Sequence, residues 1–471
     1  MENSWRMVKS LETRDNVSSF VNRWRQLFLD NFIIESMFGE IYRTVKQPLK
    51  DERNPILRPE YPWEGRIIVP STVIFDDEEE IFKMWYQTVR PVPEKYRGES
   101  FWGVCGSICY ATSKDGVEWE KPFLNIVEFE GSKRNNIVYD SPRHYIDYAS
   151  IIKDLDETDP EKRYKMTVFI GESKTRRGLR YFYSPDGVNW KGGIQLGVYP
   201  CDDTTTFLRD PVTKRYLIYT KRHDPRRVRV LSESDDLIHW TPPKVFLEPD
   251  GQDPWDVHLY FLSVDYYEGI YLGLLGIYHT DPNQDTIDIQ LAMSRNGRMW
   301  ERVGERSTFI PLGPKGSFDE AIIYVPSHPM VLHGDEIIIY YGGLCEKHES
   351  GIDRQRGAIG RAVLRRDGFV SLESRYGSGG FTTKPFIPEG SRRLLINAKT
   401  QRDGTVTAEI LDEKGEVIPG FSRDDSIPFK GDSVHHLMRW RNKKNLTELS
   451  GKIIKIRFYL ERAELYAFAL T

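Results

Sequence analysis

Apolar and polar positions alternate along this chain in short runs, and the runs come in pairs. Thr72-Val73-Ile74-Phe75 is followed, across Asp76-Asp77, by Ile81-Phe82-Lys83-Met84-Trp85-Tyr86. Tyr148-Ala149-Ser150-Ile151-Ile152 is followed by Arg163-Tyr164-Lys165-Met166-Thr167-Val168-Phe169, and Thr204-Thr205-Thr206-Phe207-Leu208 by Arg215-Tyr216-Leu217-Ile218-Tyr219-Thr220. Two later pairs are Leu259-Tyr260-Phe261-Leu262 with Ile270-Tyr271-Leu272-Gly273-Leu274, and Met330-Val331-Leu332 with Ile337-Ile338-Ile339-Tyr340. Runs rich in β-branched and aromatic residues, broken by Asp, Glu, Pro or Gly, predict strand–turn–strand.

A repeated turn follows the pairs. Ser113-Lys114-Asp115-Gly116-Val117-Glu118-Trp119 returns as Ser184-Pro185-Asp186-Gly187-Val188-Asn189-Trp190 and as Ser294-Arg295-Asn296-Gly297-Arg298-Met299-Trp300. Ser234-Asp235-Asp236-Leu237-Ile238-His239-Trp240 is a copy without Gly, and Arg365-Arg366-Asp367-Gly368-Phe369-Val370 is a worn fifth copy with Phe for Trp. Asp-Gly and Asn-Gly mark tight turns because Gly accepts positive φ without a Cβ clash. The Trp beyond each turn is an apolar packing anchor. Five copies spaced by roughly 50–70 residues define a repeat. Each repeat reads strand, polar turn, strand, loop, strand, Asp-Gly turn, strand, which predicts an all-β fold with a five-bladed β-propeller.

Residues 1–25 read as a charged leader and residues 26–380 as the propeller, with Gln26–Ile34 expected to supply the strand that closes the ring. The Gly-rich stretch Tyr376-Gly377-Ser378-Gly379-Gly380 marks a boundary. Beyond it, alternating strands such as Thr405–Leu411 and Lys452–Leu460, with turns at Asp403-Gly404 and Lys414-Gly415, predict a C-terminal β-sandwich over 381–471.

Composition narrows the function. A formal charge of -4 leaves no basic footprint, so no nucleic-acid partner is expected. No run approaches the length of a membrane-spanning helix, so no membrane partner is expected either. The first residues show no apolar signal-peptide core, and the few cysteines, Cys105, Cys109, Cys201 and Cys345, fit a cytoplasmic protein without disulfides. Cys105 and Cys109 lack the second ligand pair that a zinc site needs. The 13% aromatic content suits an all-β core and also sugar-facing surfaces. Nothing in the sequence indicates an oligomeric state.

The propeller and sandwich together resemble the superfamily of glycoside hydrolase families 32, 43 and 68 (invertases, levanases, arabinanases) over roughly residues 26–471. Pro311-Leu312-Gly313, Gly316-Ser317-Phe318-Asp319 and Tyr340-Tyr341-Gly342-Gly343 are similar to the last blade of uncharacterised family-32-like proteins. The chain lacks that family's Trp-x-Asn-Asp-Pro-Asn signature, and Cys345-Glu346 reverses its Glu-Cys motif. Arg209-Asp210-Pro211 spells its Arg-Asp-Pro motif, but in a polar hairpin turn at the opposite end of the strand. The resemblance implies a glycosidase or transglycosidase, with a furanoside as one substrate class.

Independently of the family, the residues just before each repeat's first strand should ring one mouth of the propeller. They are Trp63-Glu64, His144-Tyr145-Ile146-Asp147, Cys201-Asp202-Asp203, Asp253-Pro254-Trp255-Asp256-Val257-His258 and Phe318-Asp319-Glu320. Each repeat thus delivers a carboxylate, and glycosidic cleavage needs one carboxylic acid for the leaving oxygen and one carboxylate as nucleophile or base. Glu64 or Asp147 is the expected nucleophile or base, Asp203 the stabiliser and Asp256 the acid. Asp319 and Glu320 are expected to bind hydroxyls, Trp63 and Trp255 to stack on a sugar face, and Arg222 and His258 to reach substrate. No cofactor is expected. No metal is predicted, although a funnel of Asp, Glu and His has the ligand types for Ca2+. Two alternatives stay open. One is a phosphorylase on the same scaffold, like the mannoside phosphorylases of family 130, with Lys221, Arg222 and His223 as the phosphate pocket. The other is a glycan-binding propeller without catalysis.

Overall fold

The computed structural model describes residues 14–100, 103–173, 176–223, 225–351, 354–390 and 392–471. The protein is all-β: strands dominate, and Arg14–Arg23 is the one α-helix among the described residues. The chain divides into two compact bodies, one of residues 47–302 and 306–364, the other of residues 1–46, 303–305 and 365–471.

The first body is built from five antiparallel strand quartets in chain order. Quartet one is Ile67–Asp76, Ile81–Pro91, Val104–Ser113 and Ile137–Ser141. Quartet two is Tyr145–Lys153, Tyr164–Gly171, Arg177–Ser184 and Lys191–Gln195. Quartet three is Thr206–Arg209, Tyr216–His223, Arg227–Ser234 and Lys244–Leu247. Quartet four is Val257–Tyr267, Ile270–His279 and Thr286–Ser294, with Glu301–Arg302 and Thr308–Ile310 sharing the outer edge. Quartet five is Ile322–Tyr324, Glu336–Leu344, Gly357–Arg365 and Leu49–Lys50.

Two expectations about this body change. Gln26–Ile34 does not supply a ring-closing strand: Gln26–Leu27 pairs with Ile454–Leu470 and Ile34–Gly39 with Val370–Thr383, all in the second body. The early strand that joins quartet five is Leu49–Lys50, laid against Val363 and Ala362. The first strand of quartet five begins at Ile322 rather than near Pro329, and the stretch expected as that strand yields only Val331–His333, paired with Glu336–Ile338. Pro326 and Pro329, which lack an N–H, separate the two pieces.

The first strands are cross-linked to one another. Ile151 N–H donates to Thr72 Oγ1 (3.0 Å), Phe207 N–H to Ser150 Oγ (2.9 Å) and Thr206 Oγ1 to Leu262 O (2.9 Å). Val264 N–H donates to Ser327 O (3.2 Å) and Ser327 N–H to Ser71 O (2.9 Å). A closed circuit of hydrogen bonds therefore passes through the first strands of quartets one to four and through Ser327, just beyond the first strand of quartet five. Small hydroxyl residues suit it, because polar groups buried between close strands must be paired. Apolar clusters join neighbours laterally, such as Trp85 and Tyr110 with Met166 and Phe182, and Leu217 and Leu231 with Leu259 and Leu275.

The repeated turns behave alike. In each of the four clear copies the Ser hydroxyl accepts the N–H three residues on, and the Asp or Asn oxygen accepts the next two. Gly187 sits at φ 75°, and a Cβ there would fall 2.6 Å from the Trp85 ring, whose Nε1–H donates to Gly187 O (2.7 Å). Trp119, Trp190, Trp240 and Trp300 pack into the lateral clusters, as anchors should.

In the second body, Val370–Thr383, Leu394–Asp412 and Ile454–Leu470 form the centre of one antiparallel sheet. These long strands break register between Ser374 and Ser378 and between Thr400 and Thr405. Phe28, Phe381, Phe458 and Phe468 form its aromatic core. The helix that follows the undescribed residues 1–13 is fixed here by buried Val17 and Val21 and by Asn22, which donates to Ile387 O (2.8 Å).

Candidate active site

Asp147 leaves the first strand of quartet two at a bulge opposite Thr167 and Phe169. The next residue, Tyr148, lies at φ 44°, in the left-handed region that bulky residues avoid. Such a conformation persists only where surrounding bonds fix it. Here the Tyr148 N–H donates to Gln87 Oε1 (2.8 Å) and to Asp147 Oδ1 (2.9 Å), and its hydroxyl to Val325 O (3.3 Å). Gln87, from quartet one, also donates to Ile146 O (3.0 Å). The other Asp147 oxygen accepts from the Tyr145 hydroxyl.

Asp203, just before the first strand of quartet three, meets Asp147 electrostatically. Burial pushes the Asp147 carboxyl up, the Asp203 charge pushes it further, and the hydrogen bonds from Tyr145 and Gln87 only partly offset this, leaving it at about 7. Burial acts on Asp203 too, but the Lys221 ammonium, 2.5 Å away, outweighs it and holds that carboxyl below its ordinary value. Lys221 is itself buried, 4.0 Å above the Tyr260 ring. Asp202, next in chain, is raised by burial and then by Asp203. One carboxyl is thus raised and its neighbour lowered, the separation that acid–base chemistry requires.

A cationic wall adjoins the pair. Arg227 stacks between Tyr260 and Tyr278 (5.1 and 5.2 Å to the centroids) and donates to His258 Nδ1 (2.9 Å). Arg226 donates only to the carbonyls of Pro249 and Pro254. Neither arginine has a carboxylate partner among the described residues. Burial, and then the Arg227 charge, pushes His258 down to about 4 and lowers His223 as well. The Tyr260 hydroxyl is 2.9 Å from His348 Nε2.

The structure engages the other expected residues elsewhere. Glu64 is fully buried within quartet one, bound by the Tyr86 hydroxyl (2.7 Å), Lys121 (2.8 Å) and the N–H groups of Glu60 and Tyr61. Trp63 is a packing residue, stacked on Tyr61 with its indole N–H on Asn136 (2.8 Å). Asp256 faces His279 at 4.0 Å, and one of its buried oxygens has no hydrogen-bond partner. Asp319 is held by Lys50 (2.6 Å), Tyr341 (3.0 Å) and Ser317 (2.8 Å), and Glu320 by the N–H of Gly316. Arg222 is half-buried at the end of its strand, next to Lys221. Trp255 is 75% exposed and free to stack on a ligand. Asp210, of the Arg-Asp-Pro motif, is a buried clamp for Tyr271 and Arg298.

Among the described residues, Asp285, His348 and Glu349 offer three ligand atoms close enough for one cation. They are already bonded among themselves and to Tyr278: its hydroxyl donates to Asp285 (2.9 Å), the Glu349 N–H donates to Asp285 (2.9 Å), and His348 Nδ1 lies 3.0 Å from Glu349. All four cysteines are free.

No protein-family model and no curated protein matches the chain. Solved structures do. One is a glycosyl hydrolase from Bacteroides ovatus, with 15% identity, a TM-score of 0.48, and coverage of 68% of this chain and 94% of the other. A second belongs to family 130 of mannoside phosphorylases, said to contain glycoside hydrolases that target β-1,2-mannosidic linkages in Candida mannan; identity is 15%, the TM-score 0.45, and coverage 68% and 94%. A third is a family 43 arabinoxylan arabinofuranohydrolase from Bacillus subtilis in complex with cellotetraose, with 10% identity, a TM-score of 0.41, and coverage of 90% and 99%. At these identities what the site does has to be read from its own side chains.

Proposed function

We propose that the five quartets form a five-bladed β-propeller, followed by a β-sandwich, and that the propeller cleaves a glycosidic bond in a carbohydrate. The observation that carries this reading is the Asp147–Asp203 pair. Asp147, protonated near neutral pH, is the general acid that protonates the leaving oxygen. Asp203, ionised by Lys221, is the carboxylate that stabilises positive charge at the anomeric carbon or activates the attacking nucleophile. The acid role expected at Asp256 moves to Asp147, because Asp147 is the carboxyl held protonated beside an ionised partner. Trp255 is the stacking platform for a sugar ring.

A panel of glycosides tests this. Asp147→Asn and Asp203→Asn should each lower turnover by about two orders of magnitude or more, as removal of an acid or base does. A phenolic leaving group needs no proton, so an activated aryl glycoside should rescue Asp147→Asn and not Asp203→Asn. Unchanged turnover in both variants would overturn the assignment. Trp255→Ala should raise KM and leave kcat near wild type.

Phosphorolysis is a second reading, favoured by one observation. Among the described residues Arg226 and Arg227, beside His223 and His258, form no ion pair with a carboxylate, although the Arg227 charge reaches Asp203. An oxyanion is the natural counter-charge for such a group. Sugar release that depends on inorganic phosphate and yields a sugar phosphate would select this reading, and phosphate-independent release would select hydrolysis. Binding without turnover of any glycoside would leave a glycan-binding propeller.

A further inference from the structure

The first strands of the quartets have a second end, and it is not closed. Asp147 lies at the start of Tyr145–Lys153, whereas Ile151, Ile152 and Lys153 at its finish line a cavity of about 670 Å3. Val73, Leu208, Met330 and Val331 complete an apolar wall. At about 3.3 Å per residue, four or more residues of strand separate this space from Asp147. It is a site distinct from the carboxylate pair.

The charges around it are nearly all matched. Asp76 is held by Lys83 (2.8 Å) and Lys153 (3.0 Å), and Glu78 by Lys153 (2.6 Å). Asp154 pairs with Lys165 (3.0 Å), Asp156 with Lys214 (2.7 Å) and Asp265 with His328 (3.1 Å). Asp77 is exposed to water at the rim. Arg209 is different. Its guanidinium lies 4.2 Å from the Tyr216 centroid, and among the described residues it makes no ion pair and its buried Nε and Nη1 have no hydrogen-bond acceptor. The Asp156 charge reaches it, but that carboxylate is taken by Lys214. Buried N–H groups of a cation are rarely left without an acceptor.

We propose that this cavity binds a small amphipathic anion, with its carboxylate or phosphate head on the Arg209 guanidinium and its apolar body against Val73, Ile151, Leu208 and Val331. The volume is that of a ligand site, and the carboxylates on the cavity wall, apart from exposed Asp77, are already paired with lysines or His328, which leaves Arg209 as the cation open to a ligand. The proposal does not rest on the glycosidase reading, and its test reads binding alone.

Calorimetric titration of the full chain with octanoate, octyl phosphate and 1-octanol provides that test. At least one of the two anions should bind saturably with one site per chain, roughly tenfold tighter than the alcohol, the size of one charge-assisted contact. The tighter of the two anions identifies the head group. Arg209→Met should remove the preference for the anion, and Met330→Trp, which fills the space, should weaken all three ligands. Both variants are to be checked for the wild-type melting transition. If neither anion binds saturably, if the alcohol binds as tightly, or if a folded Arg209→Met keeps the preference, the proposal is wrong.

Discussion

Burying the Asp147 carboxyl beside Asp203 costs the fold stability in a way that depends on pH. In an unfolded chain that carboxyl ionises near 3.8; in the fold it does so near 7. Below about pH 4 both states are protonated and the fold bears no penalty. Between about 4 and 7 the unfolded chain gives up its proton and the folded one does not, so stability falls as pH rises, and above 7 the full penalty is present. Asp147→Asn should therefore stabilise the protein at pH 8, by on the order of 2–4 kcal/mol from a shift of this size, and leave it unchanged at pH 3.5. Chemical denaturation at the two pH values measures this. Equal gains at both would show that the carboxyl is not the source. Gln87 acts on Asp147 as a positioning residue, through the strained Tyr148. Gln87→Leu leaves the Tyr148 N–H with Asp147 alone and removes a bond to the carboxylate, so the pH at which Asp147 titrates should rise, an effect that loss of packing would not produce.

Among the elements, the repeated turn was the most legible feature of the chain, because its chemistry is local. Ser184, Asp186 and Gly187 satisfy one another's backbone within six residues, and any copy with the same letters makes the same bonds. Leu237 shows that the framework outweighs the glycine: it takes φ 66° in the one clear copy without Gly. Gly187 is more constrained, because its face meets Trp85. Gly187→Ala should cost about 2 kcal/mol or more, combining positive φ with a forced shift of a buried indole, and Leu237→Gly should cost far less. Comparison of the two melting transitions checks it. Ring closure and the start of quartet five were not legible. Leu49-Lys50 is two residues long and carries no pattern, and Pro326 and Pro329 split a strand that hydropathy reads as beginning later. The Gln26–Ile34 run is a good strand, but which sheet receives it is decided by distant partners such as Phe381 and Phe468.

At the scale of the whole molecule, sequence offsets placed a carboxylate before every quartet but could not say which would face one another. That depends on the cation each finds: Lys121 takes Glu64, Lys50 takes Asp319, and Lys221, though bound to Asp203, leaves Asp203 beside Asp147. Tyr260 reads only as a strand residue for the same reason, since nothing in its own strand separates it from core aromatics. The consequence is a pH dependence that belongs to two quartets jointly. Turnover needs Asp147 protonated and Asp203 ionised. As pH rises through about 7, Asp147 loses its proton and turnover should fall about tenfold per unit. As pH falls, Asp203 is the last of the pair to be neutralised, because Lys221 holds it down, so the acid limb should lie below the ordinary carboxylate range. The result is a broad profile with its upper edge near neutrality. Lys221→Met separates this account from a general loss of fold. Without the ammonium, burial is opposed only by the Arg227 charge and the Thr204 N–H, and Asp203 should titrate upward. The Lys221 charge also holds Asp147 down, so its loss should raise that titration as well. Both edges of the profile should then move to higher pH. A Lys221→Met enzyme that keeps the wild-type edges at reduced height would mean that the carboxyl pair does not set the profile.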